Sequence, residues 1–163
     1  MTHVAWAATE WAAPVIAVAV GVGMVMLAVG DARTAKVPVR PARALSALAV
    51  VGLGVVGLVD QAWLPLAQAA AGAALVTAIQ LVPYLGQSRS DKSWIGRADV
   101  RLGIPFGWTL GWFGIGFTVV GFLTALLSGL VVSVATRRRR IPFIPFLSLG
   151  FWVGLIWAAL ARG

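Results

Sequence analysis

Long apolar stretches separated by short polar ones run through the whole chain, and this pattern predicts membrane-spanning helices. A helix needs about 20 mostly apolar residues to cross the hydrocarbon core of a bilayer. We therefore expect a single all-α, polytopic membrane domain over residues 1–163. The six predicted spans are residues 12–30, 44–59, 66–85, 98–112, 115–136 and 143–160.

The boundary between the fourth and fifth spans follows from length. Residues 98–136 contain only two charged side chains. Because a helix rises about 1.5 Å per residue, one helix of this length would be almost twice as long as the membrane is thick. The chain must therefore turn once, and residues 111–114 are the natural place for that turn. Trp108 and Trp112, at or close to this turn, are suited to the outer membrane interface.

The composition excludes a soluble nucleic-acid-binding protein despite the net charge of +8. The chain is 60% hydrophobic and 11% charged, well outside the range of soluble domains. Twelve of the 13 basic residues instead fall in three clusters, which the positive-inside rule places in the cytoplasm, with both termini outside. The clusters are Arg33, Lys36, Arg40 and Arg43, then Arg89, Lys92, Arg97 and Arg101, then Arg137, Arg138, Arg139 and Arg140.

Several kinds of catalytic chemistry lack their residues in this sequence. There is no cysteine and only one histidine, His3. Thiolate chemistry, cysteine-ligated zinc and Ser-His or Cys-His hydrolase arrangements are therefore excluded. We expect neither a metal site nor a cofactor.

Two of the five acidic residues each lie at one end of an apolar span, and both of these ends are predicted on the same side of the membrane. These are Asp31, at the end of the first span, and Asp99, at the start of the fourth. An ionisable group at the edge of the hydrocarbon is costly, so each is a candidate functional residue. For Asp31 alone, an interfacial acid balanced by Arg33 and Lys36 is a simpler interpretation.

Three glycines follow Asp99 at intervals of four residues, namely Gly103, Gly107 and Gly111. On a helix they share one face with Asp99. Small residues at this spacing allow close helix approach in lipid, so this face is predicted to point into the bundle. Packing alone would also account for the glycines.

The third predicted span carries a polar stripe at helical spacing, formed by Thr77, Gln80 and Tyr84. Such a stripe could line a site or a water path. Hydrogen bonding between helices is the simpler interpretation, so these residues are not assigned to the site.

Four segments together resemble the prepilin peptidases, also called type IV leader peptidases. Residues 96–102 are similar to the family's Gly-x-Gly-Asp-x-Lys-Leu motif, and residues 107–112 to the glycine and tryptophan pattern after it. Residues 31–38 resemble its first motif, an aspartate followed by Ile-Pro, and residues 141–147 resemble the start of its last helix. The motif-supporting positions are Pro38, Gly96, Ala98, Arg101 and Leu102.

The resemblance implies an intramembrane-type aspartic endopeptidase with Asp31 and Asp99 as its catalytic pair, in the Gly-x-Gly-Asp class of membrane proteases. The implied substrates are prepilins or pseudopilins, cut at the cytoplasmic boundary of the bacterial plasma membrane. Larger family members also methylate the product and carry Cys-x-x-Cys motifs for which this chain has no cysteines. A protease without methyltransferase activity is therefore expected.

Two alternatives remain open. One is a small proton- or cation-coupled transporter, in which buried acids carry the ion. The other is a catalytically inactive homologue acting as a pilus-assembly scaffold, because Ala98 stands where the family motif has its second glycine.

Overall fold

The computed structural model describes residues 3–34, 39–87, 97–137 and 142–161. This part of the chain forms six helices joined by short connections, which confirms the all-α prediction. The helices are α1 (His3–Thr34), α2 (Val39–Val59), α3 (Trp63–Gln87), α4 (Arg97–Phe113), α5 (Ile115–Thr136) and α6 (Ile144–Leu160).

The helix ends differ from the predicted spans mainly around the first polar loop. The α1 helix runs from His3 to Thr34, so it continues past Asp31 by three residues. The α2 helix starts at Val39 and includes Pro41 in its first turn. Proline is tolerated there because the first N–H groups of a helix have no intrahelical acceptor.

Four of the described helices contain a segment long and apolar enough to cross a membrane, and these indicate a membrane protein. The segments are Trp11–Arg33, Val39–Val59, Trp63–Leu85 and Ile115–Thr136. The remaining two helices, α4 and α6, are shorter, with 17 residues each.

Neighbouring helices in the sequence pack antiparallel, and two pairs have the most extensive contacts, α3 with α4 and α5 with α6. We call these interfaces the α3–α4 seam and the α5–α6 seam. In the first, the backbones of Gly72 and Gly107 touch. In the second, the backbones of Gly121 and Gly150 touch. The α1 helix packs against α2 and α6, so it lies on the other side of the core from α3.

Phe106 of α4 connects the two seams. Its side chain is fully buried, and its ring stands edge-on to the rings of Phe122 on α5 and Phe151 on α6, at centroid distances of 6.1 and 6.0 Å. Edge-to-face contacts of this kind add to the packing of buried aromatic rings. Phe106 therefore holds α4 against the α5–α6 pair.

The turn between α4 and α5 lies where the sequence predicts it, at Gly114, whose φ of 144° favours glycine. The side chain of Trp112 points into the bundle. Its side chain is only 7% exposed and packs with Leu53, Val56 and Ala69 from α2 and α3. The large ring fills the space between the helices where α4 ends. The length of the apolar stretch predicts the turn but not this packing.

Candidate functional site at one end of the bundle

Asp31 lies in the last turn of α1 and is buried, with 8% of its surface exposed. The backbone N–H of Ile144 donates a hydrogen bond to its carboxyl group. Ile144 is the first residue of α6, so its N–H has no acceptor within that helix and is available to a side chain. The positive end of the α6 dipole also favours an acidic group at this position.

Asp99 lies in the first turn of α4 and is also buried, with 8% exposed. A carboxyl group there benefits in the same way from the N-terminal end of its own helix. Asp99 and Phe106 are seven residues apart and so lie on nearly the same helix face. Because Phe106 points into the core, Asp99 faces the bundle rather than the lipid.

The register between α4 and α6 indicates that the two aspartates lie at a similar level. The α4 and α6 helices run parallel, with Phe106 packed on Phe151. Asp99 lies seven residues, about two turns, before Phe106, and Ile144 lies seven residues before Phe151. Asp99 and Ile144 are therefore at a similar height on the two parallel helices. Since Ile144 donates to Asp31, both carboxyls are level with the start of α6. We call this end of the molecule the aspartate end.

The glycine face of α4 packs against α3, which confirms that it points into the bundle. A Cβ atom at Gly107 would overlap the backbone of Gly72, and one at Gly111 would lie 2.5 Å from the carbonyl oxygen of Gln68. At Gly103 it would lie 2.6 Å from Oε1 of Gln80. The α3–α4 seam therefore runs antiparallel from the aspartate end to the opposite end, with no room for a side chain at Gly107 or Gly111.

Buried polar atoms without a hydrogen-bond partner among the described residues are concentrated in α3, α4 and the start of α5. Gln80 is 2% exposed, and Thr109 and Thr118 are fully buried. A buried unsatisfied polar group costs about 1–3 kcal/mol, so several in one region need an explanation. The atoms are Thr77 Oγ1, Gln80 Oε1 and Nε2, Trp108 Nε1, Thr109 Oγ1 and Thr118 Oγ1.

The sequence pattern identified only part of this set. Thr77 and Gln80 stand out by their helical spacing, but the interhelical hydrogen bonds that this spacing favours have no partner among the described residues. Thr118 shows no such spacing. Its burial follows from its position, since its Oγ1 lies 3.0 Å from the place of a Cβ at Gly72 in the α3–α4 seam.

The motif-supporting residues are only partly described. Leu102 is fully buried in the same apolar cluster as Phe106, and Arg101 is half-buried. The backbone of Ala98 belongs to the first turn of α4. Pro38 and Gly96 lie outside the described residues.

Every arginine that the structure describes lies near the aspartate end. They belong to the last turn of α1, the first turns of α2 and α4, and the residue after α5. Asp60, in contrast, lies in the turn between α2 and α3 at the opposite end, where Trp11, Trp63 and Trp157 are largely exposed. Basic residues at one end and exposed tryptophans at the other are typical of a membrane-spanning bundle.

No family model, curated protein or solved structure matches this chain. In the described part of the chain, no three histidine or acidic side chains lie close enough together to hold a metal ion. Functional assignment therefore depends on the site itself and on the sequence motifs.

Proposed function

We propose that the chain is an aspartic endopeptidase in which Asp31 and Asp99 act together at the aspartate end. One observation carries this proposal: both carboxyls are buried, on different helices, at the same end of the bundle. Acids at the edge of an apolar bundle are expensive to keep, which argues that they have a function.

The proposed reaction uses the two carboxyls in different protonation states. One ionised carboxylate activates a water molecule, and one protonated carboxyl donates to the carbonyl oxygen or the leaving amine of the scissile peptide. Two carboxyls at one site do not both ionise at low cost, so they share one proton and titrate as a pair. The Ile144 N–H holds the Asp31 side chain in a fixed orientation for this role.

The proposed substrates are prepilins or pseudopilins, the class implied by the resemblance of residues 31–38 and 96–102. Such substrates present a short basic leader before a hydrophobic helix and are cut where that helix meets the cytoplasm. The positive-inside rule would place the aspartate end on that side. The arginines there would repel a basic leader, so we assign them to topology and contact with anionic lipids.

Co-expression with candidate prepilins tests the proposal. Asp31→Asn and Asp99→Asn should each abolish processing, because each removes one of the two acid-base groups. Asp60→Asn is the matched control, since it changes the same residue type at the opposite end of the bundle, and it should process normally. Processing that persists in either of the first two variants would exclude the catalytic pair.

A small proton- or cation-coupled transporter is the second candidate. The unpartnered buried atoms favour it, since they extend from the aspartate end to Thr118 near the start of α5 and could line a hydrated path. Liposomes containing the protein would then show proton or cation flux that Asp99→Asn removes, with no proteolysis by the wild type. Absence of both flux and proteolysis would favour the inactive scaffold.

A further inference from the structure

We infer that Gln80, assisted by Thr77, forms a subsite that binds a peptide group of the substrate beside Asp99. This inference rests on the proposed peptidase function and adds a substrate-binding residue to it. It depends on the burial of Gln80, its position relative to Asp99 and its hydrogen-bonding capacity.

The Gln80 side chain is buried without a partner. It is 2% exposed, and neither its Oε1 nor its Nε2 atom has a hydrogen-bond partner among the described residues. A carboxamide offers two donor hydrogens and an acceptor oxygen. Keeping all of them unpaired inside the bundle is unfavourable, so leucine would serve better if packing were the only role of this position.

The side chain is directed towards the α4 face that carries Asp99. Oε1 of Gln80 lies 2.6 Å, and Oγ1 of Thr77 3.3 Å, from the position that a Cβ at Gly103 would occupy. Gly103 is one helical turn from Asp99 on the same face. The missing side chain at Gly103 is therefore what makes room for the Gln80 carboxamide.

The antiparallel register of the seam places Gln80 level with Asp99. Gly72 of α3 lies opposite Gly107 of α4. Eight residues further along α3 is Gln80, and eight residues back along α4 is Asp99. Equal steps along antiparallel helices keep the two positions opposite each other.

A peptide group is the ligand that this pair of side chains fits. It has one N–H donor and one C=O acceptor, and a carboxamide can pair with both at once. The Thr77 hydroxyl adds a donor or acceptor for a neighbouring group. Water offers the same hydrogen-bonding chemistry, so the experiment has to separate a bound peptide from bound water.

Gln80→Leu removes the carboxamide at nearly constant volume, and Gln68→Leu is its matched control. Gln68 is on the same helix, three turns earlier and at the opposite end of the bundle. Gln80→Leu should raise the melting temperature, because a buried unpaired group is removed. It should also lower kcat/KM for a prepilin about tenfold, mainly through KM, as loss of a buried hydrogen-bonding partner predicts.

Binding provides a second measurement that does not depend on turnover. In the Asp99→Asn background, uncut prepilin should co-purify with the enzyme, and adding Gln80→Leu should reduce this capture while adding Gln68→Leu leaves it unchanged. Gln80→Asn, which keeps a shorter carboxamide, should retain part of the binding.

Three results would overturn the inference. A lower melting temperature for Gln80→Leu would make Gln80 a structural residue. A higher melting temperature with unchanged KM and capture would mean that water satisfies the carboxamide. In both cases the proposed peptidase function stands if the wild type cleaves. If the wild type neither cleaves nor captures any prepilin, the proposed function fails and the peptide subsite fails with it.

Discussion

The α5–α6 seam and the α3–α4 seam are both closed by glycines in backbone contact, but their polar side chains differ. On α5, Thr124 and Ser128 donate to carbonyl oxygens of their own helix at 2.8 and 2.7 Å. On α3, Thr77 and Gln80 have no such partner among the described residues. Close packing therefore does not require unpaired polar atoms, and those in the α3–α4 seam call for a different explanation, which the proposed substrate site would provide.

The largest loss of stability is expected when the packing that connects the two seams is removed. Phe106→Ala removes the ring that packs on Phe122 and Phe151, and it should cost about 3–5 kcal/mol of stability, as is typical of buried aromatic truncations. Denaturant titration in detergent measures this cost. A loss below about 1 kcal/mol would mean that α4 does not depend on the α5–α6 pair.

The second test concerns the glycine contact inside each seam. Gly107→Ala would force a methyl group into the backbone of Gly72 and should destabilise the protein by about 1–3 kcal/mol, the usual cost of overpacking. Gly150→Ala should cost a similar amount, since it meets Gly121 in the same way.

Gly54→Ala is the control for both glycine variants, because nothing lies within 4 Å of its added Cβ. Alanine there should stabilise α2 by about 0.5–1 kcal/mol through helix propensity. Equal effects of Gly54→Ala and Gly107→Ala on the melting temperature would contradict the close contact in the α3–α4 seam.

The smallest change in stability is expected from replacing single hydroxyl groups, one without a hydrogen-bond partner and one with a partner. Thr118→Val removes a buried hydroxyl without a partner and should raise stability by about 1 kcal/mol. Thr124→Val removes a hydroxyl bonded to the Val120 carbonyl, and the change should stay within about 0.5 kcal/mol because that carbonyl keeps its backbone donor. If both variants behave alike in thermal unfolding, the contrast between the seams is wrong.

The sequence was sufficient to predict the helices because a membrane span is defined by its own length and polarity. The fifth helix, Ile115–Thr136, has the bounds predicted for it. The glycine spacing on α4 likewise showed which face points inward. The pairing of that face with α3 was not predictable, because small residues on several helices could have matched it.

Parts of the candidate site depend on contacts between residues far apart in the sequence. The apolar pattern placed Asp31 and Asp99 at span ends, but nothing in it indicated that the N–H of Ile144 would bond to Asp31. Thr118 gave no signal at all, since one threonine in an apolar helix looks the same whether it faces lipid or a glycine seam. Only the packing of three helices identifies it.

The contact between Gly72 and Gly107 also limits how a substrate could enter. Separating these two helices would break their backbone contact and expose the unpaired polar atoms between them to lipid, which is unfavourable. A transmembrane peptide approaching sideways would therefore have to pass beside α1 or α6 rather than between α3 and α4. On this view the seam stays closed, and a substrate would reach Gln80 from the Asp99 end of the seam rather than between the helices.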